Sequence, residues 1–175
     1  MEKTKSIIVV TYKDSPFINE CINSLQGCKY PIHLCINPDK DCPYDPGAFY
    51  YAKEHGINTF ILLHDSMIMK DLSLFDMAFS FEGNISIGDK FLMCLGKFEL
   101  DKMPPLPPMP ITKRGAVNFE AGYLRSIKPS HTLCPELVDG QNHIEKYGKT
   151  RMVLENKYLI KYKSTWTPTM IKERE

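Results

Sequence analysis

The chain has 175 residues, 43% of them hydrophobic and 25% charged, and 22 basic against 21 acidic side chains leave a formal charge of +1. That length suits one domain with a substantial core. Near-neutrality argues against nucleic acid or an anionic membrane surface as the partner, and no apolar run is long enough to span a bilayer.

The first five residues are charged and pass into an apolar stretch too short for a signal-peptide core, so a cytoplasmic protein is expected. Residues 6–12, Ser-Ile-Ile-Val-Val-Thr-Tyr, are β-branched almost throughout and predict a central strand covered on both faces. Ser15 and Pro16 supply an N-cap and a first-turn proline, and Ile18, Cys21, Ile22 and Leu25 follow at helical spacing, with closure near Gly27. Residues 32–36 predict a second short strand. The loop after it is dense in turn formers, from Asn37, Pro38 and Asp39 to Asp45, Pro46 and Gly47. Ala48, Tyr51, Ala52 and His55 mark one face of a second helix, which Gly56 terminates.

Phe60, Ile61, Leu62 and Leu63 then form an uninterrupted apolar run that ends in His64 and Asp65, a buried strand with a polar tip. The order to this point is β-α-β-α-β. Single-helix crossovers imply a parallel sheet, hence an α/β fold with a nucleotide-sized crevice at the carboxyl ends of its strands. Asp65 is placed there either for chemistry or as a turn cap.

Leu72, Phe75 and Phe79 suit a short helix, and residues 91–95 a strand leading into Gly96. Five prolines in residues 104–110 exclude helix and central strand and predict a stiff internal loop bordering the site, with a PxxP ligand as the alternative. A helix is expected over residues 118–127, a second from Asp139 to Tyr147, and a closing hairpin from residues 152–154 and 158–162. Cys21, Cys28, Cys35 and Cys42 recur every seven residues, but the intervening prolines forbid a helical seam, and the close pairing of zinc cysteines is missing. The six cysteines are read as reduced thiols, mostly buried.

Taken together, residues 7–12, 17–25 and 60–66 resemble a glycosyltransferase of the GT-A fold, close to the large family-2 group. The resemblance covers about the first 70 residues. It implies a single GT-A-like domain over residues 1–175, with a mainly parallel nucleotide-binding sheet flanked by helices. Residues 1–70 would be the nucleotide-binding half and residues 71–175 the acceptor side. The implied activity is inverting transfer of a sugar from a nucleoside diphosphate sugar, of the uridine type, to a hydroxyl acceptor. Thr11 and Tyr12 would meet the base, with Asn37 or Asp39 beside it. Asp65, with His64, stands where the family's Asp-x-Asp motif holds a divalent ion, manganese or magnesium, on the diphosphate.

This chain departs from the motif, because the residue two after Asp65 is Met67 and the second carboxylate is missing. Asp65 alone could hold the ion, Lys113, Arg114 or Arg125 could neutralise the phosphates, or the site could be a binding pocket without turnover. Ser66 is a weak ligand at best, and His64 can face either way. For the base that deprotonates the acceptor, the candidates are Asp139 and Glu136, Asp139 first, although Asp139 serves equally as an N-cap. His131 and His143 are secondary candidates for metal, and Trp166 reads as an anchor for the tail. Two other classes stay open: a nucleotide-sugar or carbohydrate binding module on the same fold, and an interaction protein that uses the proline loop.

Overall fold

A computed structural model describes residues 4–38, 45–137 and 153–162. Its main sheet has the order β2-β1-β3-β6-β5-β7, built from β1 (Lys5–Tyr12), β2 (Ile32–Asn37), β3 (Thr59–His64), β5 (Ile85–Ser86), β6 (Gly96–Glu99) and β7 (His131–Thr132). Strands β1, β2 and β3 pair in parallel, as do β5 and β7, whereas β6 runs against both of its neighbours. The fold is α/β with a mixed, mostly parallel sheet. A smaller antiparallel sheet, β4-β9-β8, joins β4 (Met67–Met69) to the hairpin of β8 (Val153–Glu155) and β9 (Leu159–Tyr162).

The continuous apolar runs of β1 and β3 are explained by two cores, one on each face of the sheet. Side chains alternate along a strand, so Ile7, Val9, Ile61 and Leu63 enter one core while Ile8, Val10, Phe60 and Leu62 enter the other. Helix α1 (Ile18–Ser24) contributes Cys21 to the first core, beside Leu25 and residues of α3 (Ser73–Ser80). Helix α2 (Asp45–Glu54) contributes Ala48, Phe49 and Ala52 to the second, where Phe49 packs its ring against Phe60, Phe98 and Phe119.

Opposite placement of the two helices follows from strand order. The chain leaves β1 for β2 on one side and then returns across β1 to β3 on the other; with right-handed crossovers, the two connecting helices fall on opposite faces. The carboxyl ends of β1 and β3 thus flank the point where the winding reverses, the position at which open α/β sheets commonly take their ligands.

Local structure departs from the sequence expectations at definite places. Ser15 is not the N-cap of α1, which begins at Ile18; its hydroxyl accepts from Phe17 N at 3.4 Å and donates to Asp65. The turn-rich loop after β2 ends earlier than expected, for Asp45, Pro46 and Gly47 already belong to α2. Residues 91–95 are not a strand. Asp89–Cys94 winds as a 3-10 turn with Lys90, Phe91 and Cys94 at left-handed φ of 48°, 55° and 57°, and the strand is β6 just after it. Gly96 has to open that strand, because a Cβ there would come within 2.7 Å of the Ile85 carbonyl oxygen.

The helix expected over residues 118–127 starts earlier, as α4 (Lys113–Asn118), with Thr112 Oγ1 accepting from Gly115 N at 3.1 Å. It continues as a π-helical turn over Phe119–Leu124. The proline stretch is an irregular loop whose carbonyls at Pro104 and Pro107 accept from the hydroxyls of Tyr123 and Tyr50.

Candidate functional site

Strand alternation decides where the polar tip of β3 points. His64 continues the Phe60 and Leu62 side and faces α2, whereas Asp65, one residue on, turns toward α1. Asp65 is only 3% exposed. Its backbone N–H donates to the Val10 carbonyl at 3.0 Å, and its Oδ2 accepts from Thr11 Oγ1 at 2.9 Å and from Ser15 Oγ at 2.5 Å. The carboxylate therefore laces the carboxyl end of β3 to the end of β1 and the loop entering α1.

Beside this clasp lies an open groove of about 730 Å³ lined by Tyr12, Lys13, Asn19 and Asn23 and by the apolar side chains of Ile18, Ile22, Leu34 and Ile36. The groove runs along the face of edge strand β2 that α1 leaves uncovered, which explains why Leu34 and Ile36 are 41% and 65% exposed. Thr11 and Tyr12 both line it. Asn37 is buried and works inside the strand ends: its Nδ2 donates to the Thr11 carbonyl at 3.2 Å, and its own carbonyl accepts from Lys13 N at 3.2 Å.

The small sheet closes the tip from a third side. Tyr162 N donates to the Ser66 carbonyl at 2.9 Å, and the buried Lys161 ammonium donates to Ser66 Oγ. Sequence reasoning missed Lys161 because its place depends on β9 pairing with β4, a contact between distant segments.

These surroundings do not fit a magnesium or manganese ion on Asp65. Such an ion needs several oxygen ligands at an accessible edge. Here Oδ2 is taken by two hydroxyls, Ser66 faces an ammonium, and Met67 is fully buried with its sulfur accepting from His64 N at 3.5 Å.

Across the strand, His64 is 4% exposed and sets its Nε2 2.7 Å from Asp45 Oδ1, at the first residue of α2. Asp45, Cys94 and Glu120 bring one ligand-type atom each to within 4.8 Å of one another. Burial, then the Asp45 and Glu120 carboxylates, push the Cys94 thiol far above its ordinary value, with Arg125 opposing them. Asp45 was read in sequence only as a turn former. Helical periodicity around Glu120 was the one local signal available.

The other expected site residues lie apart from the groove. Arg114 is exposed on α4, and neither it, Lys113 nor Arg125 lines the groove. Glu136 is exposed and accepts from Asn156 Nδ2 at 2.7 Å, which fastens it to the turn between β8 and β9. His131 is exposed on β7, with its ring 4.1 Å from that of Phe81. Asp39, Asp139, His143 and Trp166 lie outside the described residues. No helix among the described residues is long and apolar enough to cross a membrane.

The chain matches no protein-family model, no curated protein and no solved structure.

Proposed function

We propose that the protein is a small glycosyltransferase of the GT-A type, binding a nucleoside diphosphate sugar in the groove between the end of β1, α1 and edge strand β2 and passing the sugar to a hydroxyl acceptor. The observation that carries this reading is the Asp65 clasp, which fixes Thr11, Tyr12 and the tip of β3 at the reversal point of the sheet, beside a groove of nucleotide size.

In this reading the half-buried Tyr12 and the apolar side chains of Leu34 and Ile36 take the flat base, the Asn19 and Asn23 amides offer hydrogen bonds to its edge or to the ribose, and Lys13 meets the diphosphate charge. Asp65 acts by holding the crevice open in one shape and carries no ion. Asp139 is the proposed general base, taking the acceptor proton as the sugar carbon is attacked on the face opposite the departing diphosphate.

Isothermal titration with uridine, guanosine and adenosine diphosphates, each with and without manganese, tests the binding step. Saturable binding that does not require manganese and that weakens in Tyr12→Ala is expected; no binding by any of the three ends the proposal. Turnover is then read from sugar release, which should collapse in Asp139→Asn while nucleotide affinity stays.

A binding module without turnover is the second reading, and the inward-turned Asp65 with a buried Met67 two residues on favours it. Tight nucleotide-sugar binding with no transfer or hydrolysis would select it.

A further inference from the structure

Asp45, Cys94 and Glu120 reach one point from three separate elements: the first turn of α2, the end of the 3-10 turn before β6, and the π-helical turn after α4. Their ligand-type atoms all lie within 4.8 Å of one another. Ligands bound tetrahedrally at about 2.0 Å for oxygen and 2.3 Å for sulfur stand about 3.5 Å apart, so a modest contraction would close the set on an ion.

A second, separate observation points the same way. His64 comes from β3, is 4% exposed, and aims its Nε2 at Asp45 Oδ1 from 2.7 Å. That approach is an ion-pair distance, shorter than two atoms sharing an ion would stand. His64 is therefore placed behind Asp45, where an imidazole can orient a ligating carboxylate. Cys94 is fully buried beside the two half-buried carboxylates, so a cation at this point would meet two carboxylates and, once Cys94 releases its proton, a thiolate in a largely dry setting.

We infer that Asp45, Cys94 and Glu120 form a binding site for one zinc-type divalent cation, with His64 positioning Asp45. A thiolate in the set selects zinc or a similar borderline-soft ion over magnesium, calcium or manganese. On binding, the Cys94 thiol proton leaves to solvent and the sulfur bonds the metal. Three protein ligands leave a fourth position to water, on the side where Asp45 and Glu120 are half-buried. The site pins α2, β3 and the π-helical turn behind the crevice, and it is independent of the transferase reading, since the cation would lie on the opposite face of β3 from the groove.

Cobalt titration of the metal-stripped full chain is the test, because a thiolate bound to cobalt gives a charge-transfer band that carboxylates alone do not. A band saturating at one equivalent, displaced by zinc and not by magnesium, is the expected result, together with a rise in melting temperature on adding zinc. The band should vanish in Cys94→Ser and persist in Cys28→Ser. Glu120→Gln, a change at a half-buried residue, should weaken cobalt binding at least tenfold and covers the case in which Cys94→Ser fails to fold. Absence of the band in folded wild-type protein overturns the inference, as does a band unchanged in Cys94→Ser or an unchanged affinity in Glu120→Gln.

Discussion

Thr11 Oγ1 donates to Asp65 Oδ2 at 2.9 Å, so the last buried hydroxyl of β1 and the first carboxylate beyond β3 form one bond across the two strand ends. Ser15 Oγ converges on the same oxygen from the loop into α1. Truncating a buried acceptor leaves its donors unsatisfied, which costs about 1–3 kcal/mol. Asp65→Ala should lower the unfolding free energy by about 2 kcal/mol in urea titration, with Asp65→Asn losing less. An Asp65→Ala variant as stable as the wild type would show that the carboxylate does not hold the strand ends together.

A buried ion pair is the corresponding feature at the other end of the sheet. Lys97 is 1% exposed on β6; its ammonium donates to Glu99 Oε1 at 2.6 Å and to the Phe81 carbonyl at 2.9 Å. Glu99 also accepts from Gly83 N at 2.8 Å and pairs with Lys102 at 2.9 Å. Burial alone would raise the Glu99 carboxyl, but the bonds from Lys97 and Lys102 outweigh it and hold the group below its usual value. Removing one member of a buried pair strands the other. Lys97→Met should destabilise by about 3 kcal/mol, and the double variant Lys97→Met with Glu99→Gln should recover part of that loss. Equal stability of Lys97→Met and wild type in denaturant melts would contradict the pairing.

Thiol reactivity should follow burial. Burial first, then the Asp65 carboxylate, push Cys21 up to about 12, and burial lifts Cys35 to about 11. At pH 8 a thiol with a pKa near 12 is ionised to only about one part in ten thousand. Cys94 and Cys134 are also buried and raised, while Cys28 is only half-buried. Mass-spectrometric mapping of brief alkylation under native conditions should find Cys28 labelled first among the described cysteines. Early labelling of Cys21 would be inconsistent with its place on the buried face of α1.

Asp76 supplies a test in acid. Its carboxylate accepts from Lys29 Nζ at 2.8 Å and from the Tyr30 hydroxyl at 2.6 Å, and these two bonds hold its pKa below the ordinary value. A carboxyl depressed in the folded state contributes stability above its unfolded pKa and loses it as pH falls through the folded one. Stability should therefore decline from about pH 4 downward, and Asp76→Asn should show a shallower decline over that range. Identical pH slopes in denaturation series would remove Asp76 from the acid response.

The first 65 residues were readable because each signal there is local. The β-branched run of β1, the spacing of Ile18, Cys21, Ile22 and Leu25, and the apolar run of β3 all depend on neighbours within a few positions, and β1, α1, β2, α2 and β3 occur in the expected order. The hairpin of β8 and β9 was legible for the same reason. What failed depended on distant partners. The run at residues 91–95 looks extended in composition, yet Gly96 against the Ile85 carbonyl sets the strand one step later. Lys97 and Glu99 disguise β6, since two charges in four residues do not read as a buried strand.

The site divided along the same line. Thr11, Tyr12, Asn37 and Asp65 do gather at the strand ends, but Ser15 was read only as a helix cap because its bond to Asp65 spans 50 positions. His64 could not be oriented in sequence; strand order sets α2 on its face, and order is not a local property.

The ammonium of Lys161 reaches Ser66 across 95 positions of chain, and Tyr162 N closes on the same residue. A nascent chain that has emerged only through β3 therefore has every strand of the parallel trio but a tip still open to water. Contacts this distant in sequence form slowly and late, so the crevice should acquire its final shape only after β9 has docked, well after the sheet beneath it. Pulse-labelled hydrogen exchange during refolding would then find the β1 and β3 amides protected before the amide of Tyr162, with ligand binding appearing in step with the latter.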